Sequence, residues 1–464
     1  MRILPLLFLP ALLSATDWPR YRGPNGLGVS PDRQLPSEAG PAKNLVWKTK
    51  TPKGNSSPIV VRGRVLFTGS DADQRVVICL DSVSGKELWR KGIAKSRSEA
   101  AHPLNGTTTP TPISDGKNVY AFFPEFGVVA YDLDGNEKWR APMGPFHSIQ
   151  GLAASPILAG GNVIQLIDQI QDSFVIAFDA KSGRQRWKAD RPSGFLGSYS
   201  TPVVYKPAKG PEQAVVAAAL EMTGYQASTG EKLWWAKGIT VGPATLPLIE
   251  GDAVYTLEPV SDAAPPFSSM LGADKNKDGK LQIAEEFEKD LVMNRLMTSI
   301  DRYNGNKDGV VEASEWDASF NNYKSRGLVK FDLKGKGELP ESNIRWAYTK
   351  GLPYVTSPLL YQGVLYVIRN GGILTSHNPE TGEVYKQERV KDATGDYYAS
   401  PVGGDGKIYL INKDGKLTVL KSGAQWEVIS SADLDEQTIA TPAISDGRLF
   451  VRTLETVYCF GNMK

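Results

Sequence analysis

The sequence predicts an all-β fold of eight similar units, each of four short antiparallel strands, closed into a ring. Three observations carry this. A Ser-Pro, Thr-Pro or, once, Leu-Pro step followed by an apolar strand, a Gly turn and a second strand recurs eight times. A third strand, another Gly turn and a fourth strand centred on Trp recurs alongside it. The 46 Gly and 31 Pro make up about 17% of 464 residues, against roughly 12% on average, as many tight turns require.

In chain order the first half-unit reads SPIVVRGRVLF from Ser57, TPISDGKNVYAFF from Thr111, SPILAGGNVIQLI from Ser155 and TPVVY from Thr201. It continues as LPLIEGDAVYTL from Leu246, SPLLYQGVLYVI from Ser357, SPVGGDGKIYLI from Ser400 and TPAISDGRLFV from Thr441. The second half-unit reads ICLDSVSGKELWRK, VAYDLDGNEKWRA, IAFDAKSGRQRWKA and TGYQASTGEKLWWA. Looser copies centre on Trp346, Tyr385 and Trp426. Four strands every forty-odd residues mark a β-propeller blade. The last unit ends at YCFGNMK without a Trp strand, and NLVWKT around Trp47 supplies the missing one. Pairing the first strand with the last three closes an eight-bladed ring and removes two exposed sheet edges.

At these residues the chain resembles the quinoprotein-like propellers, or pyrroloquinoline-quinone repeat proteins, whose repeat is a small residue, an aromatic, Asp, a Gly turn and Trp. The resemblance runs from Asn44 to Gly461 apart from one insertion, and DWPRYRGPNGLGVS from Asp17 is similar to the start of secreted bacterial members. It implies the propeller fold. It does not decide activity, because the family holds alcohol and glucose dehydrogenases as well as a noncatalytic assembly factor of the bacterial outer membrane.

The recurrent Trp residues read as packing between neighbouring blades. Cys79 and Cys459 fall at the slot held by Ala130, Ala177, Gly224 and Ser376, so they read as small buried residues without a disulfide. His377 reads as a structural residue in the Asp-type turn slot. The balance of 53 basic to 51 acidic residues, net +2, with no basic run, argues against nucleic acid as a partner.

Met1-Arg2, the apolar run Ile3 to Leu13 and the small pair Ser14-Ala15 read as a signal peptide over residues 1–15. The expected product is exported, periplasmic or extracellular, with no transmembrane anchor. The remaining expected boundaries are an extension over 16–43, propeller over 44–257 and 327–464, and an insertion over 258–326.

That insertion carries two EF-hand calcium loops. DKNKDGKLQIAE offers Asp274, Asn276, Asp278, the Lys280 carbonyl, Gln282 and Glu285, with Gly279 at the sharp turn. NGNKDGVVEASE offers Asn304, Asn306, Asp308, the Val310 carbonyl, Glu312 and Glu315, with Asn304 where Asp is usual. Leu281 and Val311 at position eight are expected to pair the loops through a short β contact. Phe287, Leu291, Leu296, Ile300 and Tyr303 are expected to form the helical core. The insertion replaces a connection between the second and third strands of the fifth blade. It should therefore emerge over the mouth that His102, Asn105, His147 and Gln150 line.

No G-x-S-x-G, H-E-x-x-H or G-x-x-x-x-G-K-[ST] occurs. The chain also lacks the adjacent cysteines on which the cofactor rests in the family's alcohol dehydrogenases. The leading expectation is a monomeric calcium-binding propeller that holds a protein partner, small molecule or glycan at its mouth. The alternative is a pyrroloquinoline-quinone-dependent oxidoreductase of alcohols or sugars.

Overall fold

The computed structural model describes residues 16–148, 150–192, 197–260, 265–320 and 325–462. The expected signal peptide lies outside the described residues. Among the described residues, eight blades of four antiparallel strands follow one another around the ring, one of them extended by a fifth strand. In each blade the strands are lettered A to D from the channel outward. Blade 1 is Ile59–Val61, Arg64–Asp71, Gln74–Asp81 and Glu87–Ala94. Blades 2, 3 and 4 span 113–142, 157–190 and 203–237. Blade 5 is Leu248–Glu250, Ala253–Leu257, Leu328–Asp332 and Ile344–Tyr348, and blades 6 and 7 span 359–389 and 402–433.

Blade 8 closes the ring as expected. Ala443–Ser445, Arg448–Arg452 and Thr456–Gly461 form strands A to C, and Leu45–Lys50 pairs antiparallel with strand C, Trp47 opposite Cys459. The hydrophobic clusters lie between adjacent sheets, so each blade is stabilised chiefly by its neighbours.

The repeat residues explain how neighbours lock. At five junctions the strand D Trp of one blade lies over the C–D turn glycine of the next and donates its indole N–H to a backbone carbonyl there, whereas Trp234 donates to Gln213 Oε1 of its own blade (2.7 Å). Trp47 donates to Ser82 (3.1 Å), Trp89 to Leu133 (2.9 Å), Trp139 to Ala180 (3.0 Å) and Trp187 to Ala227 (3.1 Å). A Cβ at Gly85 would come within 2.6 Å of the Trp47 ring, and Gly85 has φ of +71°, so only glycine suits that turn. In blades 1 to 4 and 8 a small residue sits across from the Trp, as Cys79 faces Trp89 and Ala130 faces Trp139, whereas in blade 5 Lys330 faces Trp346. Both cysteines are free and buried.

The Ser/Thr-Pro steps form a belt around the channel. In most blades the N–H of the residue before Pro donates to the Ser or Thr hydroxyl of the next blade, at 2.8–3.0 Å. The links run Ser57 to Thr111, Thr111 to Ser155, Ser155 to Thr201, Leu246 to Ser357, Ser357 to Ser400, Ser400 to Thr441 and Thr441 back to Ser57. Leu246 has no hydroxyl, so the belt is interrupted between blades 4 and 5.

Three features depart from the sequence reading. His377 is one residue off the Asp slot. Asn378 occupies it, accepting the Glu380 N–H through Oδ1 (2.8 Å), while His377 is fully buried at the neighbouring apolar position of strand C. Gly337–Glu338 adds a fifth strand to blade 4, parallel to Lys232–Lys237. The extension, which carried no assigned role, lies across the channel at the A–B turn end. Trp18 bridges Val60, Asn25 exchanges two hydrogen bonds with Val204 (2.8 and 2.9 Å), and Val29 bridges Gly403. Arg20 and Arg22 reach up the channel and donate to the carbonyls of Pro202 and Pro358, both at 2.7 Å. The ring is thus a cup closed at one end.

Candidate functional site

The open end of the cup holds a cavity of about 380 Å³. Its floor includes Tyr21 from the closing segment, whose hydroxyl lies 3.4 Å from Ser400 Oγ. Belt hydroxyls of Ser57, Thr111, Ser155 and Thr201 line the wall, and Tyr199, Tyr354 and Tyr398 stand on connections that enter strand A. Burial pushes the phenols of these three tyrosines up, so they remain neutral donors at physiological pH. Among the described residues no Asp, Glu, Lys or Arg lines the cavity.

Of the four mouth residues read from the sequence, His102, Asn105 and Gln150 line this cavity together. Their backbones interlock: His102 N–H donates to Gln150 O (3.0 Å), and Asn105 N–H donates to His102 O (2.8 Å). Asn105 Nδ2 also donates to Gln150 O at 2.8 Å. His147 is not in the wall. Its N–H donates to Gln169 Oε1 (2.7 Å), and burial together with the nearby Arg295 guanidinium lowers its imidazole pKa. The tyrosines went unnoticed in the sequence because each lies in a connection outside the repeat.

The helical insertion leaves blade 5 between Leu257 and Leu328. Its stem is fixed by buried Glu258, which accepts the N–H groups of Val241 (2.8 Å) and Gly242 (2.9 Å). Beyond it, among the described residues, lie the α-helices α1 (Ile283–Glu286), α2 (Leu291–Asn304) and α3 (Ala313–Phe320). It sits at the same end as the cavity mouth. Arg302 of α2 pairs with Asp172 in the B–C connection of blade 3 at 2.5 Å, and Arg295 faces His147. Among the described residues none of the insertion lines the cavity, so it leans on the rim of blade 3.

The two loops join through Leu281 opposite Val311 and Gln282 opposite Val310. In the first loop Asp274 accepts the N–H groups of Lys277 (2.7 Å) and Gly279 (2.9 Å), and Asn276 Oδ1 accepts that of Asp278. Asp278 accepts the Lys280 N–H and the side-chain amides of Asn276 and Gln282. Glu285 is exposed, whereas Glu286 turns back to accept the Lys275 N–H at 2.9 Å.

In the second loop the residue that plays the part of Asp274 is Asp301, not Asn304. Asp301 accepts the N–H groups of Lys307 (2.7 Å) and Gly309 (3.0 Å). Helix α2 runs on to Asn304, so Asp301, one turn earlier, points its carboxylate into the loop while Asn304 is exposed. Asn306 and Asp308 repeat the bonds of Asn276 and Asp278 apart from the one from Gln282, and Glu315 accepts the N–H groups of Asn306 (3.0 Å) and Glu312 (3.1 Å). The Asn306 amide and the Val310 N–H hold the Asp308 carboxyl below its usual range. Lys280 pairs with Glu312 across the two loops at 2.5 Å.

Among the described residues no three His, Cys, Asp or Glu side chains converge on one metal-sized point; the loop carboxylates face their own amides. In the helical core Phe287, Leu296 and Ile300 are buried as expected, joined by Met297 and Trp316. Leu291 and Tyr303, expected there, are exposed at 65% and 36%. Leu291 opens α2 at a free end, and Tyr303 is on the flank beside Arg302, which docks on blade 3.

The architecture is a propeller of the pyrroloquinoline-quinone repeat type. Residues 39–201 match a repeat family described as outer membrane protein assembly factor BamB. A protein of that name from Burkholderia pseudomallei is 28% identical over 145 residues, 31% of this chain and 32% of its own. Another, from Bordetella pertussis, is 28% identical over 116 residues, 25% of each chain. The match thus spans about a third or less of these relatives' length.

Among solved structures, BamB from Moraxella catarrhalis superposes with a TM-score of 0.55 at 12% identity, covering 90% of this chain and 99% of its own. A quinohemoprotein alcohol dehydrogenase from Pseudomonas putida HK5 gives 0.58 at 13%, covering 97% and 81%. A europium-containing methanol dehydrogenase gives 0.59 at 11%, covering 96% and 98%. Identities this low establish the fold alone, and both enzymes and an assembly factor share it. No helix among the described residues is long and apolar enough to cross a membrane.

Proposed function

We propose that the protein is an exported propeller that holds a ligand in its cup and calcium in its helical insertion, without oxidoreductase chemistry. The observation that carries this reading is the cavity lining, which is aromatic, amide and hydroxyl in character with one imidazole, His102, and holds no Asp, Glu, Lys or Arg among the described residues. Pyrroloquinoline quinone is a tricarboxylate, and a buried carboxylate needs a cationic or metal partner. Among the described residues the lining has no Lys or Arg to pair with it, and no Asp or Glu to hold a metal beside it or to serve as a general base.

Calcium would be held by oxygen donors alone, as a hard cation requires. Asp274, Asn276, Asp278, the Lys280 carbonyl, Gln282 and Glu285 or Glu286 would serve the first loop. Asp301, Asn306, Asp308, the Val310 carbonyl, Glu312 and Glu315 would serve the second. The name shared by the partial relatives, outer membrane protein assembly factor, favours a protein partner at the outer surface as a further role.

Titrating purified protein with calcium in a calorimeter, then adding pyrroloquinoline quinone with an alcohol or sugar and a redox dye, tests both halves. Calcium uptake without quinone binding or dye reduction is the expected result. Tight quinone binding with dye reduction would establish the dehydrogenase alternative instead.

A further inference from the structure

We infer that the ligand class of the cup is a neutral saccharide, an inference that rests on reading the cavity as a binding site. The shape of the cavity is set by the closed floor: Tyr21 is held there by the extension, so a ligand enters only from the end where the insertion sits. Its volume of about 380 Å³ lies at the low end of the roughly 300–1,000 Å³ typical of small-molecule pockets, which suits a short saccharide better than a folded partner.

The chemistry of the wall selects among small molecules. Tyr199, Tyr354 and Tyr398 present aromatic rings, against which the C–H faces of a sugar ring pack well. The amides are oriented by the scaffold. Asn105 Nδ2 donates to Gln150 O at 2.8 Å, and Asn55 Nδ2 donates to Leu104 O at 3.5 Å. Their oxygens, Asn105 Oδ1 and Asn55 Oδ1, are buried behind the wall, as is Thr109 Oγ1, so the polar groups offered to a ligand are the belt hydroxyls of Ser57, Thr111, Ser155 and Thr201, the tyrosine phenols and the Gln150 amide. Neutral hydroxyls and amides of this kind both donate and accept, and match a ligand rich in hydroxyl donors and acceptors. An anionic ligand offers no such donors at its charged group and finds no counter-charge in the described lining.

The test is calorimetry on the full chain in calcium buffer with neutral mono- and disaccharides (glucose, galactose, mannose, N-acetylglucosamine and their dimers), with glucuronate as the charged control. At least one neutral sugar is expected to bind, and glucuronate to bind at least about tenfold more weakly than its neutral parent. Tyr398→Ala and Asn105→Ala are each expected to weaken that sugar by about tenfold. Retained thermal melting of both variants would show that they fold. Should either variant unfold, Tyr398→Phe and Asn105→Leu take its place; the first is expected to keep ring packing and most of the affinity, and the second to lose it.

Crystals soaked with small uncharged aromatic fragments separate this inference from the reading beneath it. Fragments in the cavity with no saccharide binding would overturn the saccharide and leave the cavity as a site. An empty cavity with no sugar bound would overturn both. A sugar that binds equally well to Tyr398→Ala and Asn105→Ala also overturns the inference.

Discussion

Replacing Trp47 with Ala tests whether the two chain ends close the ring through the same lock that joins interior blades. Trp47 is 8% exposed, its ring lies 6.0 Å from that of Phe450, and its indole N–H donates to Ser82 O. Truncating a buried Trp costs about 3–5 kcal/mol, because the cavity over Gly85 cannot collapse fully. Trp139 is the matched control. It too is 8% exposed, and it donates to Ala180 O over Gly183 at an interior junction. Both variants should therefore lose similar stability, read as a fall in the urea midpoint. Only Trp47→Ala removes a side chain from the strand that ties blade 8 to the N-terminal segment, so amide exchange across residues 45–50 and 456–461 should accelerate in it alone. A loss below about 1 kcal/mol, or exchange across these strands no faster than in Trp139→Ala, would refute the shared lock.

Three further outcomes follow from the geometry. Thr111→Val keeps the shape but leaves the buried Ser57 N–H without its acceptor, and should cost about 1–3 kcal/mol by urea unfolding. Asp301→Asn should weaken calcium at the second loop by about tenfold or more, with Asn304→Ala nearly silent, both read by calorimetric titration; the reverse order would restore Asn304 to the first position. Burial lowers the His377 pKa, so between the unfolded value near 6.5 and its lower folded value only the unfolded chain takes up the proton. Stability should fall as pH drops through that window, and His377→Leu, the residue type that Leu80 provides in blade 1, should shrink the difference in melting temperature between about pH 7.5 and 5.

The sequence by itself determined the ring. Strand identity, blade number and closure through Trp47 follow from a pattern repeated eight times, because each blade meets the same neighbour in the same way. The recurring Gly and Trp have a meaning within one repeat, yet their reason is the contact between two: glycine is needed where the preceding blade's indole rests on it. Residues outside the repeat were beyond this kind of reading. Asp17 to Ser30 have no periodicity, and only the closed channel shows that Arg20 and Arg22 reach proline carbonyls and that Tyr21 becomes a floor. The Ser and Thr before each Pro were visible as a motif, but a belt requires knowing which backbone N–H lies opposite. In the second loop, spacing placed Asn304 first. What the spacing does not show is that a helix carried through Asn304 presents the Asp301 carboxylate, one turn back, to the loop N–H groups. Tyr199, Tyr354 and Tyr398 are far apart in the chain and share a wall only because ring closure turns their connections toward one axis.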